Sequence, residues 1–435
     1  MLADNLGLTS GLSAVLSRPE VTHDRGAVLQ DVAVSIAGGA ENLAGTAVLR
    51  GQERLFGQVA SVPTMWRSLN EIDHQDMARI ALVRNRVRER VWELIGARRG
   101  AIPSSRTCYG DLGPVVVIRI DASLVESHSD KQHAAGNFKG GYGFHPLLAW
   151  CDNIGELLAV ICRPGNAGSN TAADHIAIID AAIAAIPARW RRNRLISFDG
   201  AGSSHAVVEL QRKLNARRGW SVAYSFGFDL DERAGARLGR CAAGWEAALD
   251  PAGLAREDAQ VAELTGLLRE GADGDRLAGR PADMRILVRR EKIEHATQFV
   301  TVRADQRLPL PAQSLRATPK CAYKLRKSGP RPRRVEGFIG CGKDTGLARW
   351  SSHSFAINTA WVTAVARAID LLSWMRLLLS DGPLAKAEPA TLRYRLLHAA
   401  ARLVKHARYL ILRVPETWPW AQEFAAAVNR VRAFP

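Results

Sequence analysis

The pattern of apolar and polar residues is most regular between positions 111 and 228. Val115–Val125 (VVVIRIDASLV) opens with a run of β-branched residues, which predicts a buried strand ending at Asp121. The stretch HPLLAWCDNIGELLAVICR consists of two apolar runs separated by turn residues 152–155. This arrangement predicts a β-hairpin directly after the first strand.

The next elements alternate between helix and strand. SNTAADHIAIIDAAIAAIP has apolar residues at helical spacing, with Asn170 or Thr171 as the cap and Pro187 at the end. RLISF predicts a strand ending at Asp199, a second helix begins at Ser203 or Ser204, and WSVAYSFGF predicts a further strand. The predicted order is therefore β-β-β-α-β-α-β.

Two of these strands end on an aspartate. A right-handed crossover through the first helix brings the strand of Asp199 back parallel to an earlier strand. If it lies beside the strand of Asp121, the carboxyl ends of both strands meet at one point, where ligand sites of open α/β sheets tend to lie. Adjacent carboxylates repel each other unless a cation lies between them, which indicates Mg²⁺ or Mn²⁺. For either aspartate alone, a strand-end residue that caps a loop is the alternative.

The first 110 residues alternate helical patterns with Gly and Pro breaks. Apolar residues at three-to-four spacing predict helices over Ala27–Ala37 and Ile80–Ile95, and the second also carries a dense Arg/Glu face. Ser61 is placed to cap a short helix that contains Trp66 and Arg67. That helix has the position of a DNA-contacting helix in a helix-turn-helix, and the alternative is that Trp66 packs into a helical core.

The remaining sequence predicts a β-rich insertion followed by helices. Short β-like runs occur in VAELTGLL, MRILVRREKI and HATQFVTVRA. Phe355–Leu379 is apolar on most faces and predicts a buried helix, while Pro389–Arg413, with six Arg/Lys and no acid, and Trp420–Phe434 predict two more. The predicted regions are a helical N-terminal region (1–110), the first part of an α/β core (111–228), the β-rich insertion (229–330), and a C-terminal helical region (331–435).

A strongly basic segment precedes a further carboxylate. Gln306–Val335 holds nine Lys/Arg and no acidic residue, a composition typical of a solvated loop and equally able to hold a phosphate backbone. Glu336 follows it, and Lys343 lies seven positions later, which is two helical turns. A carboxylate for metal and a cation for phosphate on one helix face suit phosphodiester chemistry.

The composition and charge of the chain indicate which classes of binding partner to expect. The formal charge of +16 over 435 residues favours a polyanion, most commonly nucleic acid, over a merely basic soluble enzyme. The six scattered cysteines include no CxxC pair, which indicates reduced thiols. The N-terminus lacks a basic n-region, and no apolar run reaches membrane-spanning length, so we expect a cytoplasmic, nucleoid-associated protein with no membrane partner.

Eight stretches together resemble a known family. They are HDRGAVLQDVAV, VASVPTMWRSL, IDASLVESHSDK, FHPLLAW, RPGNAGSNTAADHI, VAELTG, MRILVRRE and KDTGL. The likeness runs nearly end to end and is to bacterial insertion-sequence transposases of the DDE, RNase H-like group. On these motifs the family's first two aspartates match Asp121 and Asp199. Its glutamate matches Glu336, and the lysine of its E-x6-K signature matches Lys343.

The resemblance implies a mixed α/β fold and a DNA-processing activity. The fold is an RNase H-like five-stranded sheet with flanking helices and a β insertion before the glutamate. The activity is cleavage at the ends of a mobile element and strand transfer into target DNA, performed by a homo-oligomer on double-stranded terminal inverted repeats. Asp121, Asp199 and Glu336 would hold two Mg²⁺ or Mn²⁺ ions, with DNA contacts from Lys343, Arg333, Arg334, Trp66 and Arg67.

The sequence departs from the family pattern near two of the acids. Gly200 stands where Ser is usual, and Pro332 replaces an expected arginine, although Arg331, Arg333 and Arg334 surround it. Gly337, Gly340 and Gly342 weaken the predicted helix by about 1 kcal/mol each relative to Ala. Two alternatives therefore remain open: a catalytically impaired DNA-binding remnant, and an RNase H-fold nuclease that cleaves without joining.

Overall fold

The structure is a computed structural model. It describes residues 1–19, 21–107, 110–168, 171–198, 204–227, 244–249, 254–263, 265–269, 277–293, 296–306, 335–407 and 409–434. In those ranges, no helix combines the length and apolar character needed to cross a membrane.

The strands that the structure describes form one large sheet and three small ones. Their bounds are β1 Arg106–Thr107, β2 Gly110–Asp111, β3 Val116–Ala122, β4 Val125–Glu126, β5 Ala135–Gly136, β6 Tyr142–Phe144, β7 Leu147–Cys151, β8 Glu156–Ile161, β9 Asn193–Phe198, β10 Ser221–Gly227, β11 Glu246–Leu249, β12 Ala255–Glu263, β13 Met284–Ile293, β14 Ala296–Gln306, β15 Arg402–His406 and β16 Tyr409–Arg413. Over the described ranges, the large sheet has the order β11-β12-β13-β14-β10-β9-β3-β7-β8.

The five strands β8, β7, β3, β9 and β10 are those predicted from residues 111–228. β3, β7 and β8 pair antiparallel as a meander, whereas β9 pairs parallel to β3 and β10 parallel to β9. β3 is central and buried on both sides, which explains its continuous β-branched sequence. The α/β class with an RNase H-like mixed sheet is confirmed.

The β-rich insertion extends this same sheet. β14 pairs antiparallel with β10, and β13, β12 and β11 follow outward. β13 coincides with MRILVRREKI, as predicted. The insertion is therefore joined to the core through a continuous hydrogen-bonded ladder.

Helices flank the sheet and build both terminal regions. Their bounds are α1 Leu2–Asn5, α2 Leu8–Val15, α3 Arg25–Ala37, α4 Ala47–Arg50, α5 Glu53–Phe56, α6 Val62–Asn70, α7 His74–Arg99, α8 Ala172–Ala185, α9 His205–Asn215, α10 Thr265–Arg269, α11 Val335–Gly342, α12 Phe355–Leu379, α13 Pro389–Leu392 and α14 Ala421–Arg432. Short 3₁₀ turns span Leu43–Thr46, Ala188–Trp190 and Gly382–Lys386, and π turns span Lys343–Leu347 and Arg393–Leu397. α8 packs on β7 and β8, α9 on β10, and α11 on β3.

A buried ionic network joins α7 to the sheet and to α12. The Arg88 guanidinium lies 2.5 Å from the Glu156 carboxylate and 3.1 Å from that of Asp370, and Arg84 also pairs with Asp370 at 2.5 Å. Glu156 accepts further bonds from two indole N–H groups, those of Trp92 and Trp374. Buried charges need such partners, so these residues fix α7 and α12 against β8.

One predicted helix is wrong. Pro389–Arg413 is helical only at its start: after α13 and the π turn, the chain forms the β15–β16 hairpin. Arg393 is buried and donates to the Ala37 carbonyl at 2.9 Å and to the Thr345 hydroxyl at 2.8 Å, which anchors the π turn. Beyond it, short apolar runs pair across a tight turn, and periodicity alone does not separate such runs from helix.

Candidate active site

Asp121 lies at the edge of the sheet where β3 ends. β3 continues one residue past Asp121, and an Asp121 carboxylate oxygen accepts a hydrogen bond from the Ala122 N–H at 2.8 Å. Its side chain is partly exposed, unlike the apolar residues before it. Because side chains alternate along a strand and cross-strand partners share a face, Asp121 lies on the same face as Arg119 and its partner Trp150.

The described part of β9 ends at the same edge. Phe198 is its last residue and pairs with Ile120, the residue before Asp121. The next residue in the sequence is Asp199, which lies outside the described residues together with Gly200. The parallel pairing of β3 and β9 therefore follows the prediction up to the position that precedes the second aspartate.

Helix α11 carries Glu336 and packs on the face of the sheet that bears Asp121. The Phe338 ring stacks on the Trp150 indole, with centroids 5.7 Å apart and an angle of 16° between the planes. A Cβ placed on Gly342 would lie 3.0 Å from the same indole, so the helix and the sheet approach closely there. Glu336 itself is exposed.

Lys343 follows α11 directly, at the start of the π turn, so the predicted two-turn spacing spans the junction of the two elements. The turn contains Gly346, whose φ of +85° a residue with a side chain rarely adopts. The Gly346 carbonyl accepts from the Trp361 indole at 3.2 Å, and the Arg393 guanidinium bonds to Thr345. Buried groups on α12 and on the turn after α13 thus hold the end of the helix that carries Glu336.

Four polar residues support this edge of the sheet, namely Arg163, His145, Asp174 and His175. Arg163, which is buried, donates to the His145 carbonyl at 2.9 Å and to the Asp174 carboxylate at 3.0 Å. His175 on α8 lies near Phe198, with ring centroids 6.0 Å apart. Burial lowers the pKa of both His145 and His175, which favours neutral imidazoles at pH 7. They belong to the segments that carry the resemblance to the family.

Apart from Lys343, the predicted DNA contacts lie in two parts of the chain. Arg333 and Arg334 lie outside the described residues, as does nearly all of the basic segment before them. Trp66 on α6 is 46% exposed and Arg67 is exposed, while Met65 and Leu69 fill the core. The alternative that Trp66 packs into the helical core is therefore wrong.

The carboxylates suit a hard divalent cation. Asp121 and Glu336 offer the oxygen donors that Mg²⁺ and Mn²⁺ prefer, on elements in direct contact. Among the described residues, a set that excludes Asp199, no three His, Cys, Asp or Glu side chains are placed to hold a metal ion.

Several supporting residues carried no recognisable signal in the sequence. Trp150 and Phe338 look like ordinary core aromatics, and their contact joins positions far apart in the chain. The sequence indicates only that Gly342 weakens the helix, whereas in the structure a Cβ at this position would lie 3.0 Å from the Trp150 indole. Arg393 looked like a surface cation.

Comparison with known proteins identifies a family and remote structural neighbours. The family model described as Transposase DDE domain group 1 matches residues 1–435. A solved piggyBac transposase synaptic complex with hairpin DNA is similar over 87% of this chain and 72% of that chain, at 10% identity and a TM-score of 0.38. At that distance the likeness adds nothing to the family match. No curated protein matches.

Proposed function

The chain belongs to the Transposase DDE domain group 1 family, and on that premise we propose that it cleaves DNA at the ends of a bacterial insertion sequence and joins the freed strand to target DNA. The observation that carries the proposal is the packing of α11, with Glu336, on the sheet face that bears Asp121.

In this proposal Asp121, Asp199 and Glu336 hold two Mg²⁺ or Mn²⁺ ions. Bound there, the ions supply activation of the attacking hydroxyl and stabilisation of the leaving oxygen. The Ala122 N–H and the strand backbone orient the Asp121 carboxylate. The contact of Phe338 with Trp150 sets the position of Glu336, and Lys343 contacts a phosphate near the cleaved bond.

Double-stranded DNA is the proposed partner, both as terminal inverted repeats and as target. The formal charge of +16, the basic segment with Arg333 and Arg334, and the exposed pair Trp66 and Arg67 favour a phosphate backbone. We expect the protein to act as a homo-oligomer on DNA, in the cytoplasm at the nucleoid. Affinity should fall steeply as salt rises, because released counterions drive such binding.

The test is a nicking and joining assay. A supercoiled plasmid carrying the DNA that flanks the gene is incubated with protein and Mg²⁺ or Mn²⁺. Asp121→Asn and Glu336→Gln should reduce nicking to background, whereas Asp180→Asn, which changes an exposed carboxylate on α8, should not. Equal nicking by all four proteins would refute the assigned site.

The same assay separates the two alternatives. Nicked plasmid without joined products indicates a nuclease. Binding that persists in EDTA, with no nicking under either metal, indicates a remnant. The position of Gly342 weakens the case for a remnant, because a Cβ there would lie 3.0 Å from the Trp150 indole, which gives this glycine of α11 a packing role.

A further inference from the structure

A small three-stranded sheet stands on the edge of the large sheet where Asp121 lies. It has the order β4-β6-β5 and connects β3 to β7. The Ser123 N–H donates to the Pro146 carbonyl at 3.0 Å, and the His145 N–H donates to the Arg163 carbonyl at 3.1 Å. At the base of the small sheet, Ala122 pairs with Leu147, so backbone pairing fixes the position of the small sheet relative to Asp121.

The small sheet is also fixed to the segment that follows Lys343. Phe144 stacks on the Trp350 indole, with centroids 4.5 Å apart, and Lys131 Nζ donates to the Trp350 carbonyl at 2.5 Å. The Gln132 N–H donates to the His353 carbonyl at 3.0 Å. The small sheet is therefore rigidly connected to both β3 and the end of the Glu336 helix.

Its tip is a closed turn over residues 137–141. The Asn137 side-chain oxygen accepts from the Lys139 N–H at 2.9 Å and from the Gly141 N–H at 3.2 Å. The Asn137 N–H in turn donates to the Gly141 carbonyl at 2.8 Å. Gly140 has a φ of +81°, which this turn needs.

The turn holds Phe138 out of the fold. Phe138 is 72% exposed, more than any other large hydrophobic residue that the structure describes. Its ring lies 5.6 Å from the His145 ring, and Lys139 Nζ lies 5.6 Å from its centroid. Isolated exposed hydrophobic residues are common on protein surfaces. An aromatic ring with an adjacent ammonium on a braced turn is, in addition, the combination that binds a base and its phosphate.

We propose that Phe138 stacks on a DNA base near the cleaved bond and that Lys139 contacts the neighbouring phosphate. The inference rests on the proposed function, since it needs DNA at the Asp121 edge. Phe138 lies nine residues before Leu147, the cross-strand partner of Ala122 beside Asp121, so an extended chain of about 3.3 Å per residue reaches at most about 30 Å from that edge. At about 3.4 Å per base step, the contacted base lies within about nine steps of the site.

The test is a titration in EDTA of a short duplex with a single-stranded overhang that carries 2-aminopurine. The overhang sequence can be arbitrary, because stacking on aromatic residues is sequence-tolerant. Wild type should quench the 2-aminopurine fluorescence. Phe138→Ala should remove the quenching and weaken binding about 5- to 150-fold, and Phe138→Trp should restore both. Leu82→Ala, which truncates another exposed residue (59%), is the control and should match wild type.

Lys139→Ala separates stacking from charge. It should weaken binding and lower the salt dependence while quenching at saturation persists. Phe138→Ala that quenches and binds like wild type would overturn the inference, as would a Phe138-dependent self-association without DNA binding.

The outcomes also distinguish this inference from the proposed function. Metal-dependent nicking that needs Asp121, combined with unchanged quenching by Phe138→Ala, refutes only the stacking. Phe138-dependent quenching without any nicking refutes only the catalytic assignment. Absence of DNA binding refutes both.

Discussion

Two alanine substitutions in α11 separate the helix propensity of glycine from its packing role. Around Gly340, a new Cβ meets no atom within 4 Å. Gly340→Ala should therefore raise the free energy of unfolding by up to about 1 kcal/mol, the usual helix-interior difference between Gly and Ala. Gly342→Ala gains the same propensity but places its Cβ 3.0 Å from Trp150 and 3.2 Å from Leu347.

Crowding at Gly342 should outweigh the propensity gain. Trp150 is buried and stacked on Phe338, so the indole has little room to move. Overpacking a filled core costs about 1–3 kcal/mol. The net expected change is a loss of up to about 2 kcal/mol, together with a displacement of the helix that carries Glu336.

Urea unfolding measures the stability of the two variants, and plasmid nicking measures whether the helix that carries Glu336 is displaced. Gly340→Ala should be more stable than wild type and nick normally. Gly342→Ala should be less stable and should nick more slowly even at temperatures where it is fully folded. If Gly342→Ala proves as stabilising as Gly340→Ala, the close approach of α11 to Trp150 is not present, and the position assigned to Glu336 fails with it.

Three further outcomes are expected. Burial, then repulsion from another carboxylate, raises the pKa of Asp31 to about 6, so the unfolding free energy should fall as pH rises from about 4 to about 6. Asp31→Asn should recover about 1–2 kcal/mol of unfolding free energy at neutral pH after solvent screening. The exposed control Asp180→Asn should leave the pH profile of stability unchanged. Parallel profiles for wild type and Asp31→Asn would contradict the assigned pKa shift. Ala407 has a φ of +50° in the β15–β16 turn, so Ala407→Gly should stabilise the hairpin by about 0.5–1 kcal/mol, and faster amide exchange there would count against it. Glu156→Gln leaves Arg88 with less charge compensation and should lower the urea midpoint by the equivalent of about 3–5 kcal/mol, so an unchanged midpoint would show that the pair is dispensable.

Elements with long, regular patterns were predictable from the sequence. The β-branched run of β3, the hairpin with its turn at 152–155, and the helix over Phe355–Leu379 that is apolar on most faces agree with the structure. Ser61 caps α6 as expected, accepting from the Thr64 N–H. Each of these signals is local, and each coincides with the burial that the fold imposes.

Features that depend on contacts between distant positions were not predictable. The sequence shows a dense Arg/Glu face on Ile80–Ile95 but not which of its residues are buried, and Arg84 and Arg88 are buried because partners from β8 and α12 neutralise them. The stacking of Phe338 on Trp150 likewise exists only once the sheet and α11 are assembled. For the site, sequence motifs placed Asp121 and Glu336 on elements that do touch, while the roles of all three acids remain predictions.

The ionic network of α7 has a consequence for how the protein is made. Arg84 pairs with Asp370, 286 positions later in the chain. At roughly 5–20 residues per second, a ribosome takes about 15–60 s to deliver the second residue after the first. During that interval the nascent chain carries arginines and a glutamate whose final burial is not yet possible. Chains released before Asp370 is synthesised should therefore be substrates for chaperones and proteases. Only chains that extend at least to Asp370 should then accumulate in the cell.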